Sequence, residues 1–160
     1  SREALFRAQQ IAQANNVKVS LTLSDPAIVE NFRPVFDELV AKGVDLIFCN
    51  EEEAKLWVGA ADTDSAVDEV AKRCTTYAVT RGPKGAVVSH EGNPTPIPGS
   101  NARAVDTTGA GDMFAGAYLW ALAQGRNHVE AATLANKAAA TVVSNLGARL
   151  TPEVFAQHFA

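Results

Sequence analysis

The residues with the clearest capacity for chemistry lie together at Asp106-Thr107-Thr108-Gly109-Ala110-Gly111-Asp112, directly ahead of the run Met113-Phe114-Ala115-Gly116-Ala117-Tyr118-Leu119-Trp120. A helix that starts near Gly111 leaves the N–H groups of its first turn without intrahelical acceptors, and its dipole adds positive potential at the same end. Small residues at 109–111 let a ligand approach those amides, so the segment suits an anionic phosphoryl group. Two familiar phosphate loops do not fit it. The dinucleotide pattern GxGxxG needs glycine where Phe114 stands, and the P-loop needs Gly-Lys-Ser/Thr where the chain has Gly111-Asp112-Met113. A carboxylate in place of the phosphate-binding lysine repels phosphate unless a metal or backbone dipoles offset it. That suits a residue whose task is to take a proton from an attacking hydroxyl. Asp112 as a plain helix cap would explain the acid, but not the three small residues before it.

The elements that must position this loop follow from periodicity. Leu5, Phe6, Ile11 and Ala12 recur at helical spacing, and Val17, Val19, Leu21 and Leu23 alternate with polar residues as in a strand. Ser24-Asp25-Pro26 breaks that strand, and Ile28 to Val40 marks an amphipathic helix ended by Gly43, with Pro34 kinking it or resetting its start. Val44 to Cys49 is an apolar run of the kind buried on both faces of a parallel sheet. Glu51 to Val58 reads as a short helix stopped by Gly59, and Ser65-Ala66-Val67-Asp68 opens another with a variant capping box. Tyr77 to Thr80 is the next strand, and Ala86 to Ser89, the turn signals through Gly92-Asn93-Pro94 and the Pro-rich segment to Pro98 suggest a hairpin or an edge excursion. Small-residue helices follow from Gly111 to Gln124 and from His128 to Ser144, with a last helix opened by Thr151-Pro152. Alternating strands and helices predict an α/β sandwich with a mostly parallel sheet.

Composition narrows the function. With 160 residues, 47% hydrophobic and 20% charged, the chain can bury a core of its own. A formal net charge of −4 with scattered Lys and Arg gives no footprint for a nucleic-acid backbone. No apolar run approaches the roughly 18 residues of a membrane span, so the expected setting is cytoplasmic. Cys49 and Cys74 lack metal or redox spacing and read as reduced thiols near the core, while His90, His128 and His158 read as surface residues.

Asp106 to Leu119 resembles the C-terminal signature of the ribokinase/PfkB family of sugar and nucleoside kinases, with its Asp-Thr-x-Gly-Ala-Gly-Asp core and small-residue helix. The resemblance implies a ribokinase-like three-layer α/β sandwich, with residues 1–160 forming one nucleotide-binding and catalytic region. It implies that Asp112 is the catalytic base and that the amides of Gly109, Ala110 and Gly111 stabilise charge on the transferred phosphoryl group. Asn50-Glu51-Glu52-Glu53 resembles the family's Asn-x-x-Glu motif, in which Asn50 and Glu53 organise Mg²⁺, through water, and the phosphates. As a bare pattern, Asn50 capping a helix reads equally well. Thr80-Arg81-Gly82-Pro83-Lys84-Gly85 resembles the nucleotide loop, with Thr80, Gly82 and Gly85 beside ATP and Lys84 either near phosphate or solvated. Asn136 falls where the family helix borders the adenine pocket. Asp106 and Thr108, with carbonyls near Val143, Leu146 and Gly147, correspond to a loop pair that holds a monovalent cation, K⁺, in many relatives.

The chain has no initiator Met and opens inside a helical stretch, so it reads as a fragment or a processed product, and the resemblance implies the C-terminal portion of a longer kinase. The family's other half supplies the lid and most acceptor contacts, and without it an inactive fragment is one expectation. Leu21 to Val29 and Phe48 to Ala54 look closer to adenosine kinases than to ribokinases or fructokinases. The implied reaction is ATP-dependent phosphoryl transfer to the 5'-hydroxyl of a nucleoside or the equivalent primary hydroxyl of a sugar. A ribokinase- or fructokinase-like sugar kinase and a non-catalytic nucleotide-binding fragment are the alternatives, and a homodimer is an open option.

Overall fold

A computed structural model describes the backbone of residues 2–159 and the side chains of residues 2–156. The chain runs α1 Arg2–Ala14, β1 Ser20–Thr22, α2 Pro26–Ala41, β2 Leu46–Asn50, α3 Glu51–Val58, α4 Thr63–Arg73 and β3 Tyr77–Thr80. A 3-10 turn, Gly82–Lys84, leads into β4 Gly85–His90 and β5 Asn93–Pro98, followed by α5 Ala110–Ala123, α6 His128–Val143 and α7 Pro152–Phe159. This is an α/β fold whose five strands lie in chain order in one mostly parallel sheet. β1 and β2 run parallel with Leu21 opposite Ile47. The short connections on either side of β4 permit only antiparallel neighbours, which confines the reversal to that strand. Contacts divide the chain into two compact units, Ser1–Val79 with Ser89–Asn93 and Thr80–Val88 with Pro94–Ala160.

In the first unit the apolar run of β2 is buried from Leu46 to Cys49, as its unbroken hydrophobicity requires. β1 is shorter than the alternation from Val17 to Leu23 predicts. The amide of Val19 turns to the carboxylate of Asp45 at 2.7 Å instead of a strand neighbour, and Val17 is left exposed. α2 is capped by Asp25, which accepts from the Ala27 amide at 2.7 Å, and it breaks at Phe32 (φ −125°, ψ 17°), just ahead of Pro34. The missing N–H and ring of the proline account for the break. α4 begins at Thr63, not at Ser65, because the Asp62 carboxylate takes the cap by accepting from the Ser65 amide and hydroxyl. Fully buried Trp57 donates to Asp37 at 2.9 Å, and Arg73 lies over its ring while also donating to Asp37. That cluster ties α2, α3 and α4 together. Cys49 and Cys74 are buried thiols.

In the second unit α5 and α6 pack through alanines, with Ala117, Ala121, Ala131, Ala135 and Ala138 all buried. Small side chains let the two helix backbones approach closely, and the rings of buried Phe114 and Tyr118 lie 5.9 Å apart on α5. The expectation that His128 is a plain surface residue does not hold. Its Nδ1 lies 2.7 Å from the hydroxyl of buried Tyr118, because a buried phenol needs a partner. His90 is exposed, and the side chain of His158 lies outside the described residues. Among the described residues no helix is long and apolar enough to cross a membrane.

Candidate functional site

The glycine-rich segment is held at both ends. The carbonyl of Val143, at the end of α6, accepts the amides of Val105 at 2.7 Å and Asp106 at 3.2 Å. The Asp106 carboxylate then accepts the amide of Thr108 at 2.9 Å through one oxygen and that of Gly147 at 3.1 Å through the other. These donors, Thr108 foremost, hold its pKa below the ordinary carboxylate value. Asp106 thereby latches the loop before α5 to the loop after α6.

Gly109 is the N-cap of α5, with φ 76° and ψ 5°, and a β-carbon there would stand 2.6 Å from both the β-carbon and the carbonyl oxygen of Ala148. Only glycine meets both demands. The amide of Ala110 closes a turn on the carbonyl of Thr107 at 3.2 Å, and the first bond of full helical length runs from Met113 to Gly109 at 2.8 Å. The amides of Gly111 and Asp112 therefore belong to the open first turn. Nothing lies within 4 Å of where a Gly111 β-carbon would be, and Asp112 is exposed. Its carboxylate stands on an accessible helix start and not in a packed interior.

Beside this helix start lies a cavity of about 320 Å³. Thr107 and Ala110 form one side of it, and Gly82 and Pro83 of the 3-10 turn form another. Ser100, Asn101, Ala102 and Ala104, from the irregular stretch after β5, make the third wall. The fourth is a stripe of α6, Asn136, Ala139, Ala140 and Val143, whose spacing places them on one helix face. Asn136 is 8% exposed, and its amide nitrogen donates to the carbonyl of Pro98 at 3.1 Å.

Of the predicted residues, Gly82, Ala110 and Asn136 meet on this cavity, with Asp106, Thr108, Gly109, Gly111 and Asp112 in the adjoining loop and helix start. Thr80 ends β3 half-buried and Lys84 is exposed on the 3-10 turn, neither on the cavity wall. Gly85 is buried behind that turn rather than on the cavity. The wall from Ser100 to Ala104 was not expected. That stretch has no periodicity to read, whereas the spacing of 136, 139, 140 and 143 was available in the sequence.

Asn50 and Glu53 belong to the other unit and form a reciprocal cap on α3. The Asn50 side-chain oxygen accepts the amides of Glu52 and Glu53 at 2.9 and 2.8 Å. One oxygen of Glu53 accepts the Asn50 amide at 3.0 Å and the other the Asn50 side-chain nitrogen at 2.7 Å. Glu53 is only 5% exposed. Burial pushes its pKa above the ordinary 4.5, the Asn50 amide opposes this, and the nearby charges of Asp25 and Glu52 add to it. The capping role is thus realised in full. Each carboxylate oxygen keeps a further lone pair for a water, which fits an outer-sphere role toward Mg²⁺ better than direct ligation. Among the described residues no group of three or more His, Cys, Asp or Glu gathers as a metal cage.

The loop pair named for K⁺ is drawn together by the Asp106–Gly147 hydrogen bond, and each Asp106 oxygen, accepting one amide, keeps a further lone pair.

Residues 1–154 match the pfkB family carbohydrate kinase domain. The ribokinase of Haemophilus influenzae is 37% identical over 148 residues, which is 89% of this chain and 46% of that protein. Among solved structures, a probable sugar kinase from Rhizobium etli CFN 42 superposes with a TM-score of 0.90 at 33% identity, covering 97% of this chain and 48% of the other. The adenosine kinase of Sinorhizobium meliloti does so with a TM-score of 0.89 at 34% identity, covering 98% and 49%. The chain spans about half the length of these relatives.

Proposed function

Because the chain belongs to the pfkB family of carbohydrate kinases, we propose that it carries the nucleotide side of an ATP-dependent phosphoryl transfer to a primary hydroxyl of a small molecule. The observation that carries this reading is the cavity of about 320 Å³ whose wall includes Ala110, with the exposed Asp112 two residues further along the same helix. That volume lies within the range of small-ligand pockets, roughly 300–1,000 Å³. Placement within the family's C-terminal half rests on the motif from Asp106 to Asp112.

In this reading the base and ribose of ATP occupy the cavity and the phosphates extend toward the first turn of α5. The Asp112 carboxylate takes the proton of the acceptor hydroxyl while its oxygen bonds to the γ-phosphorus. The bond from that phosphorus to the bridging oxygen breaks, and ADP leaves with the electron pair. The amides of Gly109 and Gly111 face the equatorial oxygens, where charge accumulates, whereas that of Ala110 is taken by the Thr107 carbonyl. Asn50 and Glu53, in the other unit, would hold Mg²⁺ through water, and the ion would supply neutralisation of phosphate charge.

The acceptor we favour is a nucleoside, on the likeness of Leu21 to Val29 and Phe48 to Ala54 to adenosine kinases, and the match to an adenosine kinase structure supports it. A ribose-type sugar is the second reading, favoured by the identity to a ribokinase. A nucleotide-binding fragment without transfer is the third, favoured by the span of about half a relative's length. Calorimetric titration with ATP, followed by transfer assays on adenosine, ribose and fructose, separates them. Binding with transfer to one acceptor supports the kinase, and binding without transfer supports the fragment. In an active form, Asp112→Asn is expected to lower turnover by about 10²–10⁴-fold with ATP affinity kept. Turnover near the wild-type level removes Asp112 as the base.

A further inference from the structure

We infer that Gly99 is a positioning residue for the nucleotide cavity, acting through a backbone crossing with Gly85. The inference rests on the reading of that cavity as the ATP site. The stretches Pro83–Gly85 and Ile97–Gly99 pass so closely that neither has room for a side chain where they meet. A β-carbon on Gly99 would stand 2.0 Å from the carbonyl oxygen of Pro83 and 2.9 Å from the nitrogen of Gly85. A β-carbon on Gly85 would stand 2.1 Å from the carbonyl oxygen of Ile97 and 2.5 Å from the nitrogen of Gly99. All of these are backbone atoms, so no rotamer change relieves the overlap.

Two cavity walls start from this crossing. Gly82 and Pro83 precede it on one strand of the chain, Ser100 follows it on the other, and all three line the cavity. Asn136 joins them to α6 by donating to the Pro98 carbonyl at 3.1 Å. The turn on the Pro83 side is closed on itself, with Arg81 donating to the Gly85 carbonyl at 2.7 Å, Lys84 to the Arg81 carbonyl at 3.1 Å, and the Gly85 amide to the Gly82 carbonyl. Such a turn moves as a body. A methyl on Gly99 must drive it off by about 1 Å or more before carbon and oxygen reach contact distance. Binding groups must be held to about 0.5 Å, so the displacement carries Gly82 and Pro83 out of register with the Ser100 and Asn136 walls.

The test is ATP titration of the chain itself by calorimetry, comparing wild type, Gly99→Ala and Gly92→Ala. Gly92 has φ 80° with nothing within 4 Å of its β-carbon site, so its substitution strains a turn without touching the cavity. Gly92→Ala is expected to melt lower yet bind ATP as wild type does. Gly99→Ala is expected to keep its secondary structure and lose about tenfold or more in affinity. Affinity of Gly99→Ala within about twofold of wild type overturns the inference while leaving the ATP site standing. Absence of ATP binding by wild type removes the ATP site and this inference with it. Should Gly99→Ala fail to fold, Asn136→Ala replaces it, since it adds no atom and frees the Pro98 carbonyl. Faster hydrogen exchange at the Lys84 and Gly85 amides then supports the crossing as the device that holds the turn, and unchanged exchange overturns it.

Discussion

Replacing Gly109 by alanine probes the loop on which the phosphate reading depends. Gly109 sits at φ 76°, where an L-residue costs about 1–2 kcal/mol. Its β-carbon would also stand 2.6 Å from the β-carbon and the carbonyl oxygen of Ala148. Relief requires the loop latched through Asp106 and Gly147 to shift, an overpacking cost of about 1–3 kcal/mol. The sum is about 2–5 kcal/mol, and a domain of this size loses roughly 2–4 °C of melting temperature per kcal/mol. Gly109→Ala is therefore expected to melt roughly 4–20 °C below wild type in a calorimetric scan without ligand. Gly111→Ala, two residues on, is the internal comparison. No atom lies within 4 Å of its β-carbon site and its φ is not positive, so the change gains up to about 1 kcal/mol of helix propensity. If Gly109→Ala melts within about 2 °C of wild type, or falls no further than Gly111→Ala, the close approach of the 109 and 148 backbones is wrong. The cradle built on it is then wrong as well.

Two titrations have opposite signs. Glu53 has a folded pKa above 4.5, so as pH rises from 4.5 through that value the unfolded chain gives up its proton first and the fold loses stability. The melting temperature of wild type relative to Glu53→Gln should fall as pH rises above 4.5, and a flat difference refutes the raised pKa. Asp106 is depressed below 3.8, so its contribution is present above 3.8 and lost as pH drops through the lower folded value. Asp106→Asn can accept through one oxygen only, and it should speed hydrogen exchange at the Gly147 or the Thr108 amide; unchanged protection of both means the carboxylate is not the latch.

What could be read from the sequence was what short-range geometry decides. The buried run of β2, the break ahead of Pro34 and the open helix start at 111–112 each depend on residues within a turn of one another. The reciprocal cap of Asn50 and Glu53 is of the same kind. The misplaced boundaries have local causes too, as where Asp62 outcompetes Ser65 for the cap of α4. Gly85 shows the limit. A glycine after a strand is compatible with opening the backbone to a ligand and with letting another strand pass, and the sequence does not distinguish them. The partner that decides it, Gly99, lies across a hairpin, and neither glycine is informative without the other. The same holds for the wall from Ser100 to Ala104, which acquires a role only because the crossing delivers it to the face of α6 carrying Asn136. The loop motif is legible because helix dipoles and open amides are properties of a local segment. The cavity beside it is not, because its shape is set by where two distant backbones are allowed to touch.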